Sequence, residues 1–191
     1  MGSDLSTATA CMSAESARFT LDTNLLVYSI DNAAGAPHNL AREIVDRAVE
    51  CECWLTLQTL GEFYVAATRK GITPPAEAAT QAADWLELFL TVTTSPAAVR
   101  AALAEAEAGR ASYWDALLVA TAAEAGCTVV LTEDMSNGNV LSGVRIHNPF
   151  RPVGRADGGG ARPARSDRAR PMKSGGTSAR TMVSRSQHPA L

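Results

Sequence analysis

At 191 residues the chain is long enough for one domain with a sizeable core and too short for two of typical size. Its net charge of −3 conceals an asymmetry: residues 1–150 carry 8 Lys/Arg against 18 Asp/Glu, a balance of −10, while residues 151–191 carry 9 against 2, a balance of +7. No stretch reaches the roughly 18 apolar residues that span a bilayer, and the N-terminus has neither a basic n-region nor an apolar h-region, so a soluble cytoplasmic protein with no membrane contact is expected.

Residues 1–17 are small and polar without periodicity and are expected to be disordered, with Met12 a possible true start. Strand-like and helix-like runs then alternate. "RFTLD" (18–22) reads as a strand and leads at once into a helix begun by Leu25, Leu26 and Val27. "APHNLAREIVDRAVE" (36–50) sets Leu40, Ile44, Val45 and Val49 on one helical face. "CWLTL" (53–57) is a second strand, followed by a helix whose apolar stripe is expected to be Leu57, Leu60, Tyr64 and Ala67, with Glu62 facing roughly away. "TPPAEAATQAADWLELF" places Pro74 in a first turn, where its missing N–H does no harm. "LTVTT" (90–94) is a third strand, and Ser95 and Gly109 cap and stop the helix after it. "SYWDALLVATAAEAG" is a further helix closed by Gly126, with Trp114, Leu117, Leu118 and Thr121 as its expected buried face. "CTVVLT" (127–132) and "VRIHN" (144–148) complete the strands. From about residue 151 the chain turns rich in Gly, Pro, Ser and Arg, a composition that cannot bury enough apolar surface to offset its ordering entropy. The expected organisation is therefore a disordered extension 1–17, a folded unit 18–150 and a disordered tail 151–191. Its fold class is a three-layer α/β/α sandwich with a mostly parallel central sheet.

Open α/β sheets bind ligands at the carboxyl ends of their strands. Asp22 follows the first strand directly, and Asp134 follows "CTVVLT" after Glu133. Glu62 lies one turn into the helix after "CWLTL", and Asp115 sits in the first turn of its own helix. Each acid has a local explanation. "TLGE" (Thr59–Glu62) and "SYWD" (Ser112–Asp115) fit capping boxes, Asp22 fits a helix cap, and Asp134 fits a turn. As a set, carboxylates converging on one rim repel one another unless a cation neutralises them. Mg²⁺ or Mn²⁺, which take hard oxygen ligands, are the natural counterions, and such a site suits metal-assisted phosphodiester hydrolysis. The four cysteines, Cys11, Cys51, Cys53 and Cys127, form no C-x-x-C pair and have no histidine at zinc spacing, which points to reduced thiols.

The ordered series "LDTNLL", "LGEF", "SYWDALLVATAAEAG", "LTEDM" and "IHNPF" resembles the PIN-domain family, and within it the VapC-type toxins of bacterial toxin–antitoxin pairs. The resemblance spans about residues 18–150 and implies a Mg²⁺- or Mn²⁺-dependent endoribonuclease. It matches Asp22, Glu62, Asp115 and Asp134 to the family's acidic quartet. Asp22 and Asp115 are then the principal metal ligands, and Glu62 and Asp134 act through water or on a second ion. It further implies Asn24 and Thr132 as supports of the acids, a small antitoxin partner across the active-site groove, and a homodimer. Glu133 is expected to point away from the site in favour of Asp134. Tyr113 and Trp114 are candidates to stack on bases, although Trp114 is expected to be buried; Arg69 and Lys70 are read as a solvated helix end, and His38 and His147 receive no catalytic role.

Two other readings are open on the sequence: a non-catalytic RNA- or partner-binding protein that keeps the fold, and an aspartyl phosphatase using Asp22 as nucleophile. The second is disfavoured because Asn24 stands where such enzymes carry a second Asp. The tail either binds RNA through its arginines, with affinity that falls steeply as salt rises, or has no role. Deleting residues 151–191 separates the two: RNA cleavage with an unchanged rate and salt dependence ends the binding-tail idea.

Overall fold

A computed structural model describes residues 17–151. The extensions expected to be disordered, 1–17 and 151–191, lie outside the described residues apart from their innermost positions. Strand β1 (Phe19–Leu21) is fully buried and leads into helix α1 (Thr23–Ile30), which is followed by a 3-10 turn (Asn32–Ala34) and helix α2 (Ala36–Ala48). Next come β2 (Trp54–Thr56), α3 (Leu57–Arg69), α4 (Pro75–Leu88), β3 (Leu90–Val92), α5 (Pro96–Glu107) and α6 (Tyr113–Glu124). Strands β4 (Val129–Leu131), β5 (Val140–Leu141) and β6 (Val144–His147) close the domain.

Four strands run in the order β1-β4-β6-β5, with β1, β4 and β6 parallel and β5 antiparallel to β6. The parallel pair β2-β3 joins this sheet beside β1, through a Phe19–Cys53 bridge and the Phe19 amide donating to the Glu52 carbonyl. Successive side chains of a strand point to opposite faces, and here that alternation sorts the core into layers. Val129 and Leu131 of β4 join Leu21, Leu25, Leu26, Ile44, Phe63 and Trp85 on the side of α1 to α4. Val130, between them, packs with Leu118, Val119, Val144 and Ile146 on the side of α6. The α/β/α sandwich expected from the alternation of elements is the observed architecture.

Helix ends follow the local chemistry. Ser95 caps α5 by accepting from the Ala97 and Ala98 amides, and Ser112 caps α6 by accepting from the Asp115 amide. Gly126 ends the last helix with φ of 79°, in the left-handed region that glycine enters without steric cost. Cys51, Cys53 and Cys127 are all free thiols.

Three sequence expectations differ in detail, and one short strand is additional. Pro74 is the N-cap of α4 and Pro75 opens its first turn. The buried face of α3 is Thr59, Leu60, Phe63 and Ala67, whereas Leu57 and Tyr64 are exposed. The helix is thus rotated relative to the expected stripe, because Phe63 packs inward against Trp85 of α4, ring centroids 4.6 Å apart and edge-to-face. Val49, expected on the buried face of α2, lies just past its end and is exposed. Strand β5 was not legible, since two residues between a turn at Gly138 and a second at Ser142–Gly143 carry no alternation to read.

Phe63 is wholly buried where α3 meets α4, so Phe63→Ala is expected to cost about 3–5 kcal/mol in urea denaturation and Phe63→Leu clearly less. A loss under about 1 kcal/mol from the alanine change would show that this contact is not part of the core.

Candidate active site

The parallel register that pairs Leu21 with Leu131 sets the residues just beyond them, Asp22 and Thr132, side by side at the carboxyl edge of the sheet. The Asp22 amide donates to the Leu131 carbonyl at 3.0 Å, extending the ladder by one bond, and the Thr132 hydroxyl donates to Asp22 Oδ2 at 2.6 Å. Asp22 is also the N-cap of α1: its Oδ1 accepts from the Thr23 amide at 2.6 Å. The capping role and the rim position are therefore the same fact. A cap that ends a buried strand is itself buried, and Asp22 is 8% exposed.

Asn24, in the first turn of α1, donates from Nδ2 to Asp22 Oδ2 at 3.2 Å and to Asp134 Oδ2 at 3.4 Å. Thr132 Oγ1 in turn accepts from the Asp134 amide at 3.1 Å. Glu133 turns the other way, where its carboxylate accepts from the Tyr28 hydroxyl at 2.5 Å. That hydrogen bond pushes the Tyr28 phenol up to about 12 and keeps it a donor. Glu62, half-buried beside the core face of α3, accepts from Thr23 Oγ1 at 3.1 Å and from Gln58 Nε2 at 2.8 Å. It is not part of a capping box, because the cap of α3 is Thr56, whose hydroxyl accepts from the Thr59 amide. Asp115 does belong to one: Ser112 Oγ accepts from its amide and donates to its Oδ2 at 2.8 Å.

The charges of the four acids act on one another. Burial pushes the Asp22 carboxyl up to about 7. The Thr132 and Thr23 hydrogen bonds oppose that rise, and the charges of Asp115 and Asp134 add to it. Asp115 is likewise raised, first by burial and then, against the Ser112 hydrogen bond, by the charges of Asp134 and Glu62. Among the described residues the ion pairs are Arg18–Glu52, Arg42–Asp46, Arg47–Glu43 and Arg110–Glu105, and none of the four acids takes part.

A family model described as PIN domain matches residues 19–136, more than half of the chain. The chain belongs to the PIN domain family. No curated protein matches it. Among solved structures it is similar to DNA-bound VapBC from Salmonella typhimurium, with 19% identity, a TM-score of 0.52, and coverage of 70% of this chain and 98% of that one. It is also similar to FitAB bound to an IR36 DNA fragment, with 19% identity, a TM-score of 0.50, and coverage of 72% and 99%. At such identity these structures share the fold of this PIN domain.

The donor set fits a hard, hydrated divalent cation. All four side chains offer carboxylate oxygens, and two amide carbonyls beside them, Asn24 Oδ1 and Gln58 Oε1, are buried and accept no hydrogen bond. The acid-lined edge is thus rich in acceptors and short of donors, a deficit that the waters of a bound metal would supply. Among the described residues no three acidic, histidine or cysteine side chains converge closely enough to enclose a metal unaided. An ion held by one or two carboxylates that keeps several waters, as Mg²⁺ does, suits this spacing.

Thr23 and Gln58 were not singled out in the sequence, although Gln58 stands four residues before Glu62, the helical spacing at which side chains meet. Trp114, expected to be buried, is 60% exposed, and Tyr113 before it is the aromatic residue of the first turn that packs inward, against Ala102, Ala116 and Leu117. Arg69 and Lys70 are exposed at one end of a groove of about 310 Å³ along α3, which Glu62 lines at the other end. His38 Nδ1 donates to the Tyr28 carbonyl at 2.8 Å, and His147 is held low first by burial and then by the Arg145 charge.

Folded protein keeps a proton on Asp22 up to about pH 7, whereas the unfolded chain releases it near 3.8. Folding therefore takes up a proton in that window, and the EDTA-treated protein is expected to lose stability as pH rises from about 4 through 7. Asp22→Asn is expected to flatten this dependence and, at pH 7.5 in EDTA, to melt no lower than the wild type. Adding Mg²⁺ or Mn²⁺ at pH 7.5 is expected to raise the wild-type Tm by about 4 °C or more and to leave Asp22→Asn unmoved. A wild-type Tm indifferent to millimolar concentrations of both ions would refute the metal site.

Proposed function

We propose that this PIN domain is a Mg²⁺- or Mn²⁺-dependent endoribonuclease, the toxin component of a VapC-type toxin–antitoxin pair. The observation that carries this reading is a carboxylate, Asp22, raised first by burial and further by two neighbouring acids, with no cationic side chain paired to it among the described residues. Stability alone gives no reason to keep such a group, since a buried charge without a partner costs several kcal/mol. A bound ion would supply the missing positive charge, lower the pKa of a water and stabilise charge on a phosphate oxygen.

The chain's own residues divide the remaining work. Asp22 and Asp115 are the direct ligands in this reading, and Glu62 and Asp134 act through water. Thr132 and the Thr23 amide hold the Asp22 carboxylate in one orientation, and Asn24 spans Asp22 and Asp134. Gln58 and Thr23 aim Glu62 from two sides, and Ser112 fixes Asp115. A deprotonated Asp22 is the form that binds the ion, so the ion and not the solvent pH sets its charge at neutrality. The VapC-type resemblance of the motif series supports a small antitoxin as partner and a homodimer as assembly. Among the described residues no helix is long and apolar enough to cross a membrane.

The test is cleavage by the full chain of a mixed pool of transfer and ribosomal RNA with Mg²⁺ or Mn²⁺, and then with EDTA. Asp22→Asn and Asp115→Asn are each expected to lose more than about 100-fold in rate, and Thr132→Ala, which removes a donor to Asp22 and the acceptor for the Asp134 amide, about 10- to 100-fold. No cutting with either metal, from folded protein free of any antitoxin, would favour a binding protein that retains the fold.

A further inference from the structure

Trp114 precedes Asp115 in the first turn of α6 and projects into solvent. Single exposed apolar side chains are common and by themselves assign nothing. Two contacts set this one apart. Tyr113, partly buried against Ala102, Ala116 and Leu117, meets the indole edge-on with ring centroids 5.2 Å apart and an interplanar angle of 69°. The indole is thus buttressed while most of its surface stays uncovered. Gln58 Nε2 donates at once to the Trp114 carbonyl at 3.1 Å and to Glu62 at 2.8 Å, so one side chain locks the backbone beneath the ring to a site acid on another helix. The ring stands on a helix buried at all seven positions from Ala116 to Ala122, and little ordering is required when it takes a ligand.

We propose, resting on the nuclease reading above, that Trp114 buttressed by Tyr113 is a subsite that stacks an unpaired base of the RNA beside the scissile phosphate. Through Gln58 the backbone carrying the indole is tied to Glu62, so a base on Trp114 belongs to a nucleotide near the site acids. An acidic site cannot draw in a polyanion by charge. Stacking on a neutral ring contributes affinity without a cation that would pair with the acids, and it tolerates any base. The surroundings favour a base over a protein helix: the first turn that carries the ring also carries Asp115 bonded to Ser112, its carbonyl is bonded to Gln58 and Gln58 to Glu62, and a helix broad enough to cover the turn would strip water from these polar groups. A base pair in a duplex has no free face to offer, so the subsite selects single strands and loops.

Of the three tryptophans only Trp114 is exposed, since Trp85 is buried and Trp54 partly so, and its fluorescence reports on this position. The measurement uses the full chain carrying Asp22→Asn, so that RNA is not consumed, with a mixed-sequence single-stranded RNA octamer, the same octamer lacking its central bases, and the corresponding duplex. The intact single strand is expected to quench Trp114 and shield it from iodide, and the other two to do neither. In the active chain Trp114→Ala is expected to raise KM about 5- to 150-fold with kcat little changed, and Trp114→Phe to recover most of the loss. An unchanged KM in Trp114→Ala while the wild type still cuts RNA overturns the stacking subsite and leaves the nuclease reading intact. Shielding of Trp114 by self-association without RNA overturns it equally. If the wild type cuts no RNA with either metal but the octamer still shields Trp114, the nuclease reading fails and the base subsite stands.

Discussion

Much of this domain is arranged around one carboxylate that has been taken out of water. Asp22 ends a buried strand and begins a buried helix, and its carboxylate has three partners: a hydroxyl from the end of the neighbouring strand, an amide from its own helix and a side-chain amide two residues on. Those three bonds satisfy the oxygens without cancelling the charge. The excess shows as a carboxyl that holds its proton to about pH 7. A hydrophobic residue in that place would cap nothing, and an exposed acid would cap the helix without the desolvation. The combination makes sense when a cation is the missing partner.

The other acids are held less by burial than by neighbours. Thr132 links the strand edge to the loop after it, giving its hydroxyl hydrogen to Asp22 and its lone pair to the Asp134 amide. Tyr28 draws Glu133 aside, which separates two adjacent acids into one that faces Asn24 and one that anchors α1. Gln58 and Thr23 do for Glu62 what Ser112 does for Asp115. Neutral donors orient every carboxylate, and none is quenched by a lysine or arginine among the described residues. The buried, unpartnered carbonyls of Asn24 and Gln58 complete a surface that accepts hydrogen bonds and offers few.

Rigidity at this edge comes from the layers behind it. Val130 and its flanking residues face opposite helical layers, so β4 is pinned on both sides while its carboxyl end stays open. Helix α6 is buried through the whole of its middle, which fixes its first turn, carrying Trp114 and Asp115, against movement. Antiparallel β5 closes the far edge beside β6 and leaves the rim at β1 and β4 uncovered.

The order of elements, the caps at Ser95 and Ser112, the stop at Gly126 and the rim position of Asp22 are local properties of the sequence. They depend on residues within a few positions of one another, and the alternation of strands and helices then restricts the sheet to a parallel one. The motif series likewise sufficed to indicate the PIN family. Tertiary structure decided what depends on residues far apart: which side of α3 faces the core, set by Phe63 meeting Trp85; whether Trp114 is covered; and that Gln58 and Thr23 aim Glu62. It also decided the charge state of Asp22. A carboxylate's burial is a sum over every layer packed around it, and no window of sequence contains that sum.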